Sequence, residues 1–262
     1  MASDLRTGPY TRAQLLGTID HSVLLPQLTT DEARASILLG RSFGAASCCV
    51  RPSDVALAAE LLAGSPTLVC TVIGFPHGNV PTAVKVAEAE AALAAGAAEL
   101  DMVINVGWLR GGEDARVRGD IAAVAAAAAA RGAIVKVILE NAYLTDEEKT
   151  RGCRLAEAAG AAFVKTSTGF AANLAVGHPA GATIPDLALM RAACGPAVRV
   201  KAAGGVRTLE QLLAVLRAGA VRVGATATAA IAAEFDARAT GGLLHAAAAA
   251  EGGAGGAASA GY

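Results

Sequence analysis

Eight times along this 262-residue chain, a short run of apolar, often β-branched residues gives way to a longer stretch rich in alanine and leucine. The short runs fall at 17–20, 45–50, 67–73, 99–105, 134–140, 162–165, 198–201 and 221–224. Between and after them lie 30–42, 54–63, 81–95, 114–131, 145–159, 184–193, 209–218 and 228–238, each long enough for more than two helical turns. Runs of that length with turn signals on either side read as buried strands, and the longer stretches as helices. The boundaries carry supporting chemistry. Thr145 with Glu148 three residues on forms a capping box, and Ala-Gly-Ala joints at 95–97, 159–161 and 218–220 end a helix sharply into the next strand. Strands that alternate with helices run parallel through right-handed crossovers, and eight such units close a barrel. The expected fold is therefore α/β, a single-domain (β/α)8 TIM barrel over 1–240. An open doubly wound sheet would carry a glycine-rich dinucleotide turn after its first strand, and none follows Asp20. Residues 241–262, dominated by Gly, Ala and Ser, read as a flexible C-terminal tail ending in Tyr262.

Composition removes several classes of function. Apolar residues make up 54% of the chain but aromatics only 3%, so the apolar share is largely alanine in helices. The longest apolar stretch, 121–130, stops at Arg131, short of the roughly 20 residues a membrane span needs. A net charge of −1 and the lack of basic stretches interleaved with aromatics leave no basis for nucleic-acid binding. The N-terminus has no apolar signal region. Five cysteines, with Cys48 and Cys49 adjacent and no CxxC spacing, indicate neither a disulfide framework nor a metal site. The expectation is a cytoplasmic enzyme of a reducing compartment, with no metal and no membrane partner.

In a parallel barrel the reactive groups stand at the carboxyl ends of the strands. The expected ends are Asp20, Cys49, Asp101, Asn105, Glu140, Lys165, Lys201 and Gly224, an unusual density of ionisable residues. Buried charge without a partner is costly, so such positions require a reason. Lys165 and Lys201 end neighbouring strands, where like charges held close in a partly desolvated site lower each other's pKa. A lysine that is neutral near pH 7 attacks a carbonyl carbon. Spacing alone leaves open which lysine does so, and a structural lysine paired with Asp101 or Glu140 is the competing reading. Asp101 lies at an inward position, where it would move protons directly or through water, or neutralise the lysines. Cys49 either lines the pocket or packs as a buried thiol. His21 and His77 read as hydrogen-bonded structural histidines.

Gly204-Gly205-Val206-Arg207 follows strand seven, and Gly224-Ala225-Thr226 follows strand eight. Glycines admit backbone amides close to an anion, and a helix begins just after each loop. These two loops are the usual phosphate site of an eight-stranded barrel. Tight turns alone would explain one such loop but not the pair.

Together these segments resemble the deoxyribose-phosphate aldolases, class I aldolases on a (β/α)8 barrel, over nearly the whole chain. The most specific pieces are Phe163-Val164-Lys165-Thr166-Ser167-Thr168-Gly169-Phe170 and Val200-Lys201-Ala202-Ala203-Gly204-Gly205-Val206-Arg207. Segments 70–78, 99–107 and 136–140 support them. The resemblance implies Lys165 as the imine-forming lysine, Lys201 as its pKa-lowering partner and Asp101 as the acid/base group. It further implies that Asp20, Cys49, Thr168 and Gly169 join the two glycine loops around a sugar phosphate. The reaction implied is reversible cleavage of 2-deoxy-D-ribose 5-phosphate to acetaldehyde and D-glyceraldehyde 3-phosphate without a cofactor, in a homodimer or homotetramer. Some members carry a C-terminal tyrosine that reaches the site, the role this would give Tyr262. The chain departs from the family at Leu25, where relatives often have lysine, at Phe170, where some members have lysine, and at Ala225 and Ala227 in a turn that is serine-rich in the family. Two readings stand beside this one: another lysine-dependent barrel aldolase with a ketone donor, and a catalytically silent sugar-phosphate-binding barrel.

Overall fold

In the computed structural model, which describes residues 7–171 and 180–245, the eight expected runs pair in chain order and close on themselves as a parallel barrel. The strands are β1 (Ile19–Val23), β2 (Ser47–Val50), β3 (Leu68–Ile73), β4 (Glu99–Val103), β5 (Ile134–Ile138), β6 (Phe163–Lys165), β7 (Arg199–Ala203) and β8 (Ala220–Ala225). The barrel shuts where Asp20 of β1 lies opposite Gly224 of β8. The crossover helices are α1 (Thr30–Ser42), α2 (Val55–Leu62), α3 (Thr82–Ala94), α4 (Asp114–Ala129), α5 (Asp146–Ala158), α6 (Ile184–Ala193), α7 (Leu209–Arg217) and α8 (Thr228–Arg238).

Local sequence explains the sharp joints. Thr29 with Glu32, Thr145 with Glu148 and Thr208 with Gln211 each form a reciprocal capping box that satisfies orphan amides at the start of α1, α5 and α7. At the end of α5, Gly160 turns to φ 86°, its amide donates to the Glu157 carbonyl, and Ala161 donates to Ala156. That pair of bonds is a Schellman cap, and only the missing Cβ makes its left-handed turn cheap. Gly96 repeats it after α3.

Apolar burial is concentrated between barrel and helices, where Val135, Val137, Val164, Val200 and Val223 face Ile121, Leu187, Leu212 and Ile231 in one continuous core. The barrel interior is different. Asp20, Lys136, Asp101 and Lys201 are each at most 1% exposed. Layers of branched apolar side chains usually fill an eight-stranded barrel. Here ion pairs fill much of it.

Several boundaries differ from expectation. The first strand runs to Val23 rather than stopping at Asp20, which places Asp20 inside the barrel instead of at its mouth. The polar pair His21-Ser22 masked the continuation. The strands expected at 99–105 and 134–140 each stop two residues early, at Val103 and Ile138, because Asn105 and Glu140 begin separate turns. The packed chain also continues past the expected boundary at 240. Leu243–Leu244 pairs antiparallel with Tyr10–Thr11, and Leu244 and Tyr10 are buried. Two-residue strands leave no periodic signal. Tyr262 lies outside the described residues.

His21 is structural, as expected. Its Nδ1 lies 2.8 Å from Thr228 Oγ1 on α8 and its Nε2 2.9 Å from Ser36 Oγ on α1. Burial pulls the imidazole down from 6.5 to about 4, against the opposing Ser36 contact. The unfolded chain therefore binds the proton first on acidification, and His21 costs stability progressively as pH falls from 6.5 towards 4, by about 3 kcal/mol at most. His21→Gln is expected to flatten urea-derived stability against pH across that window relative to the wild type. Parallel curves would show that His21 does not titrate in the folded state.

Candidate active site

Lys165 and Lys201 are direct partners in the β6–β7 ladder. Their Nζ atoms converge on one acceptor. Asp101 Oδ2, from β4 across the barrel, accepts from Lys165 at 2.7 Å and from Lys201 at 2.7 Å. The two nitrogens therefore lie no further apart than those two contacts end to end. Asp20 Oδ2 approaches Lys201 Nζ at 2.5 Å from below.

A third lysine, which the sequence reading assigned no role, completes the cluster. Lys136 on β5 is wholly buried and lies 2.9 Å from Asp101 Oδ1, 2.6 Å from Glu99 Oε2 and 3.4 Å from Asp20 Oδ2. Arg222 on β8 closes the ring through Asp20 Oδ1 at 2.8 Å and Glu99 Oε2 at 2.6 Å. Three carboxylates thus face four basic side chains. Fully ionised, the cluster carries one excess positive charge, and it balances when one lysine is neutral. Lys165 has one carboxylate partner among these contacts while Lys136 has three and Lys201 has two. Lys165 is thus the lysine least held by the surrounding carboxylates.

The electrostatics of its neighbours agree. Burial opposes charge on Lys201, but the Asp101 and Asp20 carboxylates outweigh it and hold the ammonium above its ordinary value. Lys136 is held protonated the same way, burial again being overcome by Asp101 and Asp20. Burial would raise Asp101, yet Lys136, Lys165 and Lys201 together keep it far below the usual carboxylate range. Asp101 is thus a fixed anion and Lys201 a fixed cation.

The signal for Lys136 and Arg222 was present as alternation. Each is a polar residue at an inward position of an otherwise apolar strand, as Asp101 is. A reading confined to strand ends passes over them, because they lie deeper in the barrel.

Above the cluster, a cavity of about 290 Å3 is lined by Gly169, Gly204, Gly205, Val206 and Arg207, by Gly224, Ala225 and Thr226, and by Leu25. Eight of the expected substrate positions come together here. Gly204 and Gly205 take φ 85° and 87°, and a Cβ on Gly204 would lie 2.9 Å from Gly181 Cα. Glycine is required there on both counts.

The remaining expected positions lie elsewhere. Asp20 does not line this cavity and sits beneath Lys201. Cys49 is buried with Leu24, Cys70 and Val72. Thr168 is turned towards Glu140, to which its amide donates at 3.1 Å and its hydroxyl also donates. Folding also gathers Cys49, Cys70 and Asp101 within 4.8 Å, a grouping the cysteine spacing gave no hint of. Lys136, Lys165 and Lys201 already occupy that carboxylate, so a divalent cation there would meet the fixed Lys136 and Lys201 ammonium groups.

A match to the DeoC/LacD family aldolase model spans residues 16–248. The deoxyribose-phosphate aldolase of Listeria monocytogenes serotype 4a is 49% identical over 213 residues, 81% of this chain and 92% of its own length. That of Rhodospirillum rubrum is 50% identical over 229 residues, 87% of this chain and 92% of its own. A crystal structure from Coccidioides immitis superposes with a TM-score of 0.81 at 39% identity, covering 90% and 92% of the two chains. The tetrameric deoxyribose phosphate aldolase of Aeropyrum pernix gives 0.78 at 28%, covering 90% and 98%. With its barrel, its paired lysines and these likenesses over most of its length, the chain belongs to the DeoC/LacD aldolase family.

Proposed function

We propose that this protein is a deoxyribose-phosphate aldolase, cleaving 2-deoxy-D-ribose 5-phosphate reversibly to acetaldehyde and D-glyceraldehyde 3-phosphate through an imine on Lys165. The observation that carries the reading is the sharing of Asp101 Oδ2 between Lys165 and Lys201, 2.7 Å from each, below a cavity walled by two glycine loops.

The neutral Lys165 amine adds to the aldehyde carbon of the open-chain sugar, and loss of water leaves a protonated imine. That cation is the electron sink, so no cofactor is required. The C2–C3 bond breaks, its electrons pass into the imine to give an enamine, and the C3 hydroxyl proton leaves as the new aldehyde forms. Asp101, ionised and hydrogen-bonded to Lys201, accepts that proton through a bridging water. Protonation of the enamine carbon and hydrolysis of the imine release acetaldehyde and restore Lys165. Lys201 stays charged throughout and disfavours a second charge on the free Lys165 amine. Amides of Gly204, Gly205, Gly224 and Ala225 and the Thr226 hydroxyl bind the phosphate, with Arg207 at the rim. Asp20 anchors Lys201 from below. Self-association is proposed from the tetrameric relative of A. pernix. Among the described residues no helix is long and apolar enough to cross a membrane.

Incubation with acetaldehyde followed by borohydride reduction should add a two-carbon ethyl group to the peptide containing Lys165. An adduct on Lys201, or none, would overturn the assignment. A preference for dihydroxyacetone over acetaldehyde as donor would move the reaction to the ketone-donor class, and binding of the sugar phosphate without turnover would mark a silent barrel.

A further inference from the structure

A second carboxyl group stands beside Lys165 and is not used in the reaction steps above. Glu140 follows β5, the neighbour of β6, two residues beyond Ile138, which lies opposite Lys165 in the ladder. The backbone on either side is tied to the lysine strand: Leu139 N donates to the Lys165 carbonyl and Asn141 N to the Thr166 carbonyl, each at 2.9 Å. Between these two bonds the chain makes an unusual turn. Glu140 takes φ 58°, the one non-glycine residue at positive φ among the described residues. Side chains disfavour that region, so the surrounding bonds must impose it. At 2% exposure the side chain is buried, and it helps to line a cavity of about 350 Å3 on the β3–β5 side of the mouth, apart from the phosphate cavity.

The two carboxyl oxygens differ. Oε2 accepts from the Thr168 amide and hydroxyl, which fixes the group against the loop that follows Lys165. Oε1 is buried and has no hydrogen-bond partner. A buried carboxyl held rigidly by one oxygen, with the other unpaired, is suited to exchanging a proton with a transient group. The basic side chains that act on it are Lys165 from β6 and His77 from the loop after β3, and Tyr143 shares its cavity.

We propose that Glu140 is the proton-transfer group for dehydration of the carbinolamine on Lys165 and for rehydration of the imine, an inference that rests on the aldolase reading. In the forward step the Glu140 carboxylic acid gives its proton to the carbinolamine hydroxyl and the carbon–oxygen bond breaks. Water departs, the nitrogen lone pair forms the protonated imine, and Glu140 is left as carboxylate. In the reverse step water attacks the imine carbon and that carboxylate takes the proton back. Asp101 is unsuited as the donor here, because the Lys136 and Lys201 ammonium groups keep it ionised. Burial instead raises the Glu140 carboxyl above its ordinary value, against the opposing pull of Thr168, Lys165 and His77. The division of labour is spatial. Asp101 and Lys201 face the bond that breaks, and Glu140 faces the water that leaves and returns.

The test compares the wild type with Glu140→Gln and Glu140→Asp in steady-state cleavage and in borohydride trapping with acetaldehyde, across pH. Glu140→Gln can still accept from Thr168 but carries no proton to donate. It should lower kcat and the rate of adduct formation on Lys165 by about 100-fold with little change in KM. It should also lose the fall in rate on the alkaline side that marks deprotonation of an essential acid. Glu140→Asp should keep that fall at a reduced rate. A Gln variant with wild-type rates and an unchanged profile overturns the proposal. So does one that loses rate only in step with a drop in Tm, which would make Glu140 a prop for the Thr168 loop. If the Gln variant does not fold, an Asp variant lacking the alkaline fall has the same overturning force. Failure of the wild type to form any adduct on Lys165 would instead sink the underlying aldolase reading.

Discussion

Lys165→Met is expected to abolish turnover of deoxyribose 5-phosphate, by on the order of 10^4-fold or more, while leaving the protein folded and the trapping experiment blank. Removal of the nucleophile eliminates the covalent path altogether, so loss on that scale follows from the chemistry. Retention of the fold follows from the charge count. Methionine in place of Lys165 leaves Lys136, Lys201 and Arg222 facing Asp20, Glu99 and Asp101, three charges of each sign. Most buried lysines lose a compensated charge when replaced, whereas here the substitution leaves the remaining charges balanced. The Tm of Lys165→Met should therefore equal or exceed that of the wild type. Lys201→Leu provides the contrast. It keeps the nucleophile, so the adduct on Lys165 should persist, but the fixed cation beside that amine is gone. The rate of imine formation should then reach half its maximum at a higher pH. Residual activity within tenfold of wild type in Lys165→Met, or transfer of the adduct to Lys201, would refute the assignment.

Much of this site was legible before folding because it sits at or near element ends, although β7 runs on through Lys201, expected as its last residue, to Ala203. Lys165 and Lys201 each stop an apolar run, and the two glycine loops each precede a helix, so local pattern and barrel symmetry fixed their positions together. What escaped was the barrel interior. Lys136 lies two residues into its strand and Arg222 likewise two residues into its own. Their ionic partners are at least 35 residues away in the chain. No window of sequence joins such groups; only the closure of β1 against β8 does. Glu140 was noticed as a strand end, but its left-handed backbone was not foreseeable. That conformation is imposed by bonds to Lys165 and Thr166 of the next strand, which only pairing creates. Asp20 shows the opposite error, a polar residue taken for the end of a strand that in fact continues through it.

Asp101→Asn should be the most disruptive single change in the barrel, because it affects folding and chemistry together. The side chain keeps its shape and can still accept a hydrogen bond, but the anion shared by Lys136, Lys165 and Lys201 disappears. Four basic groups then face two carboxylates in a space from which water is excluded. Removing one partner of a buried ion pair costs roughly 3–5 kcal/mol, and the loss should register as a lower urea midpoint. The rate of cleavage should fall by about 100-fold or more, since no fixed base remains to accept the C3 hydroxyl proton through water. The pH dependence carries a sign of its own. In the native protein Asp101 is ionised far below its ordinary 3.8, so its stabilisation is present above that value and is lost on further acidification. The Asn variant should consequently lose less stability than the wild type as pH falls below about 4. Combining the two substitutions gives the sharpest discrimination. Lys165→Met removes one of the charges that Asp101→Asn leaves uncompensated, so the double variant should be more stable than Asp101→Asn alone, a coupling between the sites. Strict additivity would mean that the two side chains do not share charge in solution. The balance of three anions against four basic groups would then not be what keeps Lys165 free to react.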